Sequence, residues 1–121
     1  MNKDGAKWYP AMGTIFAMQK EFQKLIRGLS NYSGDMPKQM SESILGLLCE
    51  AGEVLQADQR WKTNGRSTYY NRAEKVEELA DCFIFLVNAC IYSDVSSFEI
   101  MNAISDKIIK NTERYKNNEK T

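Results

Sequence analysis

The sequence contains no histidine among its 121 residues, and this absence removes several classes of enzyme. Hydrolases that pair serine or cysteine with an imidazole base are excluded, and so are zinc sites with histidine ligands. Di-iron helical bundles are excluded as well, because two of their helices supply Glu-x-x-His pairs. The groups left for chemistry are carboxylates, lysine, arginine, tyrosine, cysteine and amides, together with any bound metal ion.

Cysteine is scarce, and its spacing does not suit a metal site. Cys49, Cys82 and Cys90 lie within apolar runs and form no Cys-x-x-Cys pair. This arrangement disfavours a disulfide framework and is typical of reduced thiols inside a cytoplasmic protein. We therefore expect a cytoplasmic localisation.

The chain also lacks an excess of either charge and lacks long apolar runs. Lys and Arg total 16, Asp and Glu total 16, and the formal net charge is zero. A balanced surface disfavours binding to nucleic acid or to an anionic membrane, which requires clustered positive charge. No apolar run approaches the ~20 residues that span a bilayer, and the N-terminus lacks the apolar segment of a signal peptide. We expect neither a nucleic-acid partner nor a membrane partner.

Proline is rare, with two residues in the chain, and strand-like alternation is absent. The apolar spacing instead predicts four helices joined by short loops, which favour antiparallel neighbours. We therefore expect one all-α domain over residues 1–121, an antiparallel four-helix bundle-like fold with its core at about 14–115 and flexible termini. The predicted helices run from about Thr14 to Asn31, Pro37 to Trp61, Asn71 to Tyr92 and Ser96 to Tyr115, and Lys116 to Thr121 should fray.

The third predicted helix carries two carboxylates where apolar residues are expected. Residues 79–87 are apolar all the way round the helix except for Asp81, so this stretch should be buried on every side. Glu78 lies one turn earlier on the same face, because residues three apart are neighbours on a helix. A charged pair in such a stretch needs a physical explanation.

The second predicted helix shows the same anomaly. An apolar run over residues 44–49 ends at Glu50, which lies on the stripe that otherwise faces the core, and Glu53 follows one turn later. The small residues Ala51 and Gly52 lie between the two carboxylates and would let another helix approach closely. If the two helices pack antiparallel, all four carboxylates converge.

Such a convergence is costly unless a cation compensates it. Burying several like charges is strongly unfavourable, even when their pKa values rise. The nearest cations in the sequence, Arg60, Arg72 and Lys75, are too few and too poorly placed to neutralise four carboxylates. A divalent cation would resolve the conflict, and ligands that are all oxygen favour Mg²⁺ or Mn²⁺, with Ca²⁺ as a further option. The plainer alternative is that each pair belongs to a solvated acidic helix face.

The two pairs together resemble a known family motif. Glu50-x-x-Glu53, 24 intervening residues and Glu78-x-x-Asp81 are similar to the motif of the MazG-like, all-α nucleoside triphosphate pyrophosphohydrolases. The end of the fourth helix, with Lys107, Asn111, Arg114 and Tyr115, is also typical of that family, and the resemblance covers roughly residues 15–115.

The resemblance implies an activity, a cofactor and an assembly. Members of the family use Mg²⁺ to hydrolyse nucleoside triphosphates to a monophosphate and pyrophosphate, a role in housecleaning of the nucleotide pool, and they act as dimers or tetramers. By this resemblance Glu50, Glu53, Glu78 and Asp81 would be the metal ligands, and Glu53 is our candidate for the group that takes the proton of the attacking water. Two alternatives stay open: an enzyme like phosphoribosyl-ATP pyrophosphohydrolase, and a non-catalytic helical interaction protein of the same fold.

Candidate substrate-binding residues lie on the fourth helix and at the end of the second. Lys107, Asn111 and Arg114 form one polar stripe at positions i, i+4 and i+7, suited to phosphate oxygens. A solvated basic face near a helix C-terminus would give the same pattern. Trp61 can stack on a nucleobase or simply pack at the helix end, and Lys62 can reach a phosphate.

Three amides are further candidates for lining a pocket. Gln19 and Gln23 lie on the first predicted helix. Asn88 lies two turns beyond Asp81 on the same face, where it can bond a ligand or another helix.

Overall fold

A computed structural model describes residues 11–27, 34–62 and 68–119 of the chain. These residues form the helices α1 Met12–Arg27, α2 Pro37–Ala57, α3 Arg72–Tyr92 and α4 Ser97–Glu119. Within the described ranges there is no β-strand, only an isolated antiparallel bridge between Asp58 and Tyr70. The all-α, four-helix bundle-like fold expected from the apolar spacing is confirmed.

Polar side chains begin α3 and α4 at the predicted positions. The side chain of Asn71 accepts a hydrogen bond from the Glu74 backbone N–H at 3.1 Å. The Glu74 carboxylate does not reach back to Asn71 as a capping box requires; it accepts a 2.8 Å bond from the Tyr69 hydroxyl instead. Ser96 and Glu99 do form the complete box, because each side chain accepts a 3.1 Å bond from the backbone N–H of the other.

α2 ends at Ala57, four residues before the predicted end at Trp61. Asp58 has an extended backbone (φ −136°, ψ 99°) and forms its bridge with Tyr70. The Asn71 backbone N–H also donates to the Ala57 carbonyl at 2.9 Å. The predicted boundary was wrong because pairing with the segment before α3, which is remote in sequence, replaces the last helical turn.

The other helix boundaries agree with the predictions to within a few residues. α1 begins two residues earlier than predicted, and its predicted end near Asn31 falls outside the described residues. α4 continues past its predicted end at Tyr115 to Glu119, and fraying of the C-terminus stays a prediction. No proline or glycine interrupts the sequence there, and Lys and Glu are good helix formers.

Bonds between helix ends place α2 antiparallel to both α1 and α3. The Met36 backbone N–H, just before α2, donates to the carbonyl of Tyr92 at the end of α3, at 2.7 Å. The isolated bridge joins the opposite ends of the same two helices. Arg27 at the end of α1 pairs with Glu42 near the start of α2 at 3.4 Å. α1 therefore runs parallel to α3.

A glycine lets α2 and α3 approach closely, although it is not the one that the sequence suggests. A Cβ added at Gly46 would overlap the ring of Phe85 on α3. Gly52, which lies between the two acidic residues of α2, has nothing within 4 Å of the position of an added Cβ. The close contact thus lies about one turn before Glu50 and fixes the spacing of the helices on which the carboxylates stand.

The buried core is small and lies between α1 and α3. Its cluster consists of Phe16, Val87 and Ile91, against which Met12, Ile15, Cys90 and Ile100 pack. Ala57 and Tyr92 are buried as well. The expectation that residues 79–87 are buried on every side is wrong for the single chain, since Phe83 is 63% exposed and Leu86 is 44% exposed. The reason is that α1 and α2 cover only part of the circumference of α3, and α4 does not cover the rest.

The direction of α4 explains this exposure. The chain bends by 115° between α3 and α4, and α4 packs against α1. Apart from Ile100, its large apolar side chains therefore face solvent in the single chain, with Phe98 at 76% and Ile108 at 59% exposure. Among the described residues, no single helix combines the length and apolar character of a membrane span; only α3 and α4 taken together as a bent pair meet those criteria.

Asp58 fastens the end of α2 to the start of α3. It accepts bonds from the Arg60 guanidinium at 2.8 and 2.9 Å and from the Lys75 ammonium at 2.8 Å. The hydrogen bonds from Arg60, and then that from Lys75, hold the pKa of the Asp58 carboxyl well below its usual range. The Arg60 guanidinium also lies 3.6 Å from the centroid of the Tyr70 ring.

We predict that Asp58→Asn lowers the thermal midpoint at neutral pH. The folded state stabilises the charged form of Asp58. The wild type is therefore more stable than Asp58→Asn by its full margin above the ordinary aspartate pKa of about 4, and this margin in stability shrinks as the pH falls below that value. Thermal melts of both proteins between pH 7 and pH 3 measure this. Asp106→Asn, on the exposed face of α4, is the control and should melt like the wild type. Curves for Asp58→Asn that run parallel to the wild type at every pH would contradict the account.

Candidate metal centre

Packing of α2 against α3 brings three carboxylates together. Glu50 of α2 and Glu78 and Asp81 of α3 each offer one oxygen, and these oxygens all lie within 4.8 Å of one another. The spacing of Glu78 and Asp81 puts both on the face of α3 that meets α2. All three side chains are half-buried. We call these residues the carboxylate cluster.

Glu53 is the fourth predicted ligand, and it lies at the edge of the carboxylate cluster. It is exposed and does not belong to the group of oxygens within 4.8 Å. Its charge nevertheless contributes to raising the pKa of Glu78. The structure therefore places Glu53 near the three carboxylates, one turn further along α2 than Glu50.

The carboxylate cluster is electrostatically strained. Partial burial raises the pKa of Glu78 first, and the hydrogen bond and charge of Glu50 and then the charge of Asp81 raise it further. Cations that might neutralise it are engaged elsewhere, since Lys75 and Arg60 both bond to Asp58. Like charges therefore stand close together with no ion pair to a described residue.

The donor set suits a hard divalent cation. Three carboxylates supply only oxygen ligands, the type that Mg²⁺ and Mn²⁺ prefer. Cys82 stands next to Asp81, but burial and then the charges of Glu50 and Asp81 raise the pKa of its thiol. The thiolate that a softer metal would require is thus disfavoured. The carboxylate cluster fits the metal type that the sequence predicted, although it lies half-buried between two helices rather than enclosed in a core.

A cavity of about 370 Å³ adjoins the carboxylate cluster through Asp81. Amides line one part of it: Gln19, Gln23 and Asn88. The Gln19 side-chain N–H₂ donates to the Asn88 side-chain oxygen at 2.9 Å, so Asn88 does link two helices, as one of its predicted alternatives holds. The aromatic rings of Phe22 and Phe85 line another part, giving the cavity both polar and apolar walls. We call it the amide cavity.

A second cavity, of about 450 Å³, lies at the end of α2. Trp61 and Lys75 are among its lining residues. The Trp61 indole N–H donates to the Leu55 carbonyl at 3.3 Å, and the Lys62 ammonium lies 5.7 Å from the centroid of the indole ring. Trp61 is 57% exposed, so its face remains open for contact. Lys75 lies one turn before Glu78, which puts this cavity near the carboxylate cluster.

The polar stripe of α4 is separate from the carboxylate cluster within one chain. Lys107, Asn111 and Arg114 are all exposed, and α4 packs against α1 rather than against α2. None of the three forms a hydrogen bond or ion pair with another described residue. The described part of the chain therefore does not bring these predicted phosphate ligands to the carboxylates.

Sequence reasoning missed the residues that support the amide cavity. Tyr92 and Arg27 both bond to Gln23, and Phe85 fills the space beside Gly46. The four-residue spacing of Gln23 and Arg27 was visible in the sequence as a pair on one helix face. The contact with Tyr92 spans 69 residues and left no local signal.

Helices that face one another with Glu-x-x-Glu and Glu-x-x-Asp pairs define the class of MazG-like, all-α nucleotide pyrophosphohydrolases. Comparison with protein families agrees, because the dUTPase family model matches residues 11–120, and the chain belongs to that family. The family is one of nucleotide hydrolases. No curated protein matches the chain.

We predict that Glu78→Gln raises the thermal midpoint by a few degrees when divalent ions are removed with EDTA. The substitution takes one negative charge out of a cluster that repels itself, so the folded state gains stability. Glu77→Gln is the matched control, because Glu77 is exposed, adjacent in sequence and outside the carboxylate cluster. Differential scanning fluorimetry of both variants checks this, and a lower midpoint for Glu78→Gln alone would argue against repulsion.

Proposed function

We propose that this protein is a Mg²⁺-dependent nucleoside triphosphate pyrophosphohydrolase that cleaves the α–β phosphate bond and releases a monophosphate and pyrophosphate. The single observation that carries the proposal is the carboxylate cluster, which is not neutralised by any described cation and opens onto the amide cavity. The dUTPase family match favours a deoxynucleoside triphosphate, dUTP first, over phosphoribosyl-ATP. The negative charge of the carboxylate cluster, which no described cation neutralises, also argues against a purely structural role for the bundle.

The carboxylates take two parts in this proposal, metal binding and proton transfer. Glu50, Glu78 and Asp81 would hold Mg²⁺, or Mn²⁺ in its place, with Glu53 as the nearest additional ligand. When bound, the metal supplies neutralisation of the triphosphate charge and acidification of a coordinated water. Glu53 is exposed on the same side of α2, where its carboxylate can accept the proton of the attacking water.

The amide cavity has the size and lining that a nucleoside needs. Its volume of about 370 Å³ falls in the range of small-molecule pockets. Amide groups offer hydrogen bonds to a base edge, and the rings of Phe22 and Phe85 offer apolar contact to a base face. Since Asp81 borders both the cavity and the carboxylate cluster, a nucleoside bound here would direct its phosphates toward the carboxylates.

A homo-oligomer, either a dimer or a tetramer, is part of the proposal. Large apolar side chains on α1, α3 and α4 face solvent in the single chain, and Leu25, Phe83 and Phe98 are each more than 60% exposed. A second copy of the chain is the partner that would cover these faces.

Assembly would also explain the position of the α4 stripe. Lys107, Asn111 and Arg114 are exposed on a helix that packs against α1 rather than against α2, and they are unpaired among the described residues. We place them at the phosphates of a nucleotide bound to a neighbouring subunit, where Arg can bind two phosphate oxygens at once. Trp61 and Lys62, beside the second cavity, are the nearer candidates for contact with substrate from the same subunit.

A panel of nucleoside triphosphates with Mg²⁺ tests the activity. We expect a monophosphate together with pyrophosphate, no turnover in EDTA, and a loss of at least about a hundredfold in kcat for Glu53→Gln, since a general base typically contributes that much. Glu77→Gln is the control and should retain activity. Orthophosphate and a diphosphate as products would place the cut at the wrong bond, and a panel with no turnover would favour the non-catalytic alternative.

A mixing experiment tests the shared site. Glu50→Gln and Arg114→Ala subunits should each be inactive alone, while a mixture that exchanges subunits should regain part of the activity, because one mixed site then has both groups intact. Light scattering should show a dimer or tetramer for each protein. Monomeric protein, or a mixture as inactive as its parts, would contradict the contribution of α4 to a neighbouring subunit.

A further inference from the structure

The side chain of Gln23 is nearly buried and is held at one end by two donors. It is only 4% exposed, yet it lines the amide cavity. Its Oε1 accepts a 2.6 Å bond from the Tyr92 hydroxyl and a 3.0 Å bond from the Arg27 Nε–H. Both partners therefore contact the same amide oxygen.

These two bonds set the direction of the amide. The Nε–H of an arginine donates and cannot accept, so the Gln23 atom that faces it must be the oxygen. The Nε2 group then points the other way. It has no bond to a described residue. Every fully buried side-chain nitrogen or oxygen of the described structure does have a hydrogen-bond partner, so Nε2 is not fully buried. The amide cavity is the space beside Gln23 in which Nε2 can find a hydrogen-bond acceptor.

Arg27 is itself held in place from two further sides. Its Nη2 pairs with Glu42 of α2 at 3.4 Å, and its guanidinium lies 5.5 Å from the centroid of the Tyr92 ring. Tyr92 is fully buried, and its carbonyl accepts the Met36 backbone N–H. The two donors that fix Gln23 thus stand on α1 and α3, and Glu42 and Met36 connect both donors to α2 and its N-terminal end.

The other amides in the cavity are not fixed in this way. Gln19 and Asn88 bond to each other at 2.9 Å, and neither bonds to a group that can only donate or only accept. Both amides can turn over together and keep one bond, so this pair can present either polarity to a ligand. Among the described amides of the cavity, Gln23 is the one whose N–H₂ and carbonyl groups have fixed positions.

We propose that Arg27 is a positioning residue, which together with Tyr92 fixes the orientation of the Gln23 amide. In this orientation the Gln23 N–H₂ group donates a hydrogen bond to a keto oxygen on the edge of the base and disfavours a base that has an amino group there. The inference rests on the proposed function, in that the amide cavity receives the base. A keto base at this position accepts a hydrogen bond from Gln23. An amino base leaves two donors facing each other in a partly dry cavity, which costs about tenfold or more in affinity.

The test compares Arg27→Met with Lys24→Met. Both substitutions remove one positive charge from α1, but Lys24 pairs with Glu21 and does not touch the cavity. Binding of dUMP and dCMP is measured by calorimetry with Mg²⁺ present, since a monophosphate has no α–β bond to cut. We expect the wild type and Lys24→Met to prefer dUMP by about tenfold or more, and Arg27→Met to bind the two within about threefold.

Gln23→Glu is the second variant and covers the case in which Arg27→Met does not fold. A carboxylate keeps the bonds from Arg27 and Tyr92 but turns an acceptor toward the cavity, so the preference should move toward dCMP while the thermal midpoint is retained. A merely structural role for either residue would weaken both ligands equally and leave their ratio unchanged.

The outcomes separate this inference from the proposed function. Preference for dUMP that depends on Arg27, in a protein that hydrolyses no triphosphate, would support the inference and reject the activity. Turnover of triphosphates with an unchanged ratio in both Arg27→Met and Gln23→Glu would overturn the inference and leave the activity standing. Equal binding of the two monophosphates to the wild type, or binding of neither, would also overturn it.

Discussion

Repulsion among three carboxylates that the fold holds together is the interaction on which the rest of this molecule depends. Close packing of α2 on α3, with the Phe85 ring seated over Gly46, leaves little freedom to relieve the repulsion by separating the helices. The bond from Lys75 to Asp58 at one end and the bond from Met36 to Tyr92 at the other hold the same two helices together. Folding therefore stores unfavourable electrostatic energy at one place, and a divalent cation can release it. This arrangement is typical of a functional centre, and it lowers the stability of the fold when no cation is bound.

The fold also leaves its own apolar surface unfinished. One chain buries a core of a few side chains between α1 and α3, while Phe83 and Phe98 stay largely exposed. A helix that bends away by 115° cannot cover α3 in the same subunit. Hydrophobic burial is the dominant favourable term in association as in folding, so exposed surface of this kind provides the drive for assembly. In the proposed function the metal site and the assembly are linked, because the chain that leaves α3 partly uncovered also carries basic residues on a helix that packs against α1 rather than against α2.

Much of the architecture was predictable because it depends on residues close together in the sequence. Helical spacing of apolar residues gave the four helices, and Asn71, Ser96 and Glu99 mark two of their starts by local bonds. The Glu-x-x-Glu and Glu-x-x-Asp pairs pointed to the carboxylates for the same reason, since residues three apart share a helix face. The early end of α2 was not predictable, because it depends on Tyr70, twelve residues beyond Asp58.

The sequence by itself determined which helices form and which of their faces carry charge, since both follow from the repeat of the α-helix. Tertiary structure decided the rest. It left Glu53 at the edge of the three carboxylates that meet, turned α4 away from α3, and joined Gln23 to Tyr92 across 69 residues. Contacts of this kind depend on how side chains of different helices pack together, and the local sequence pattern does not determine that packing.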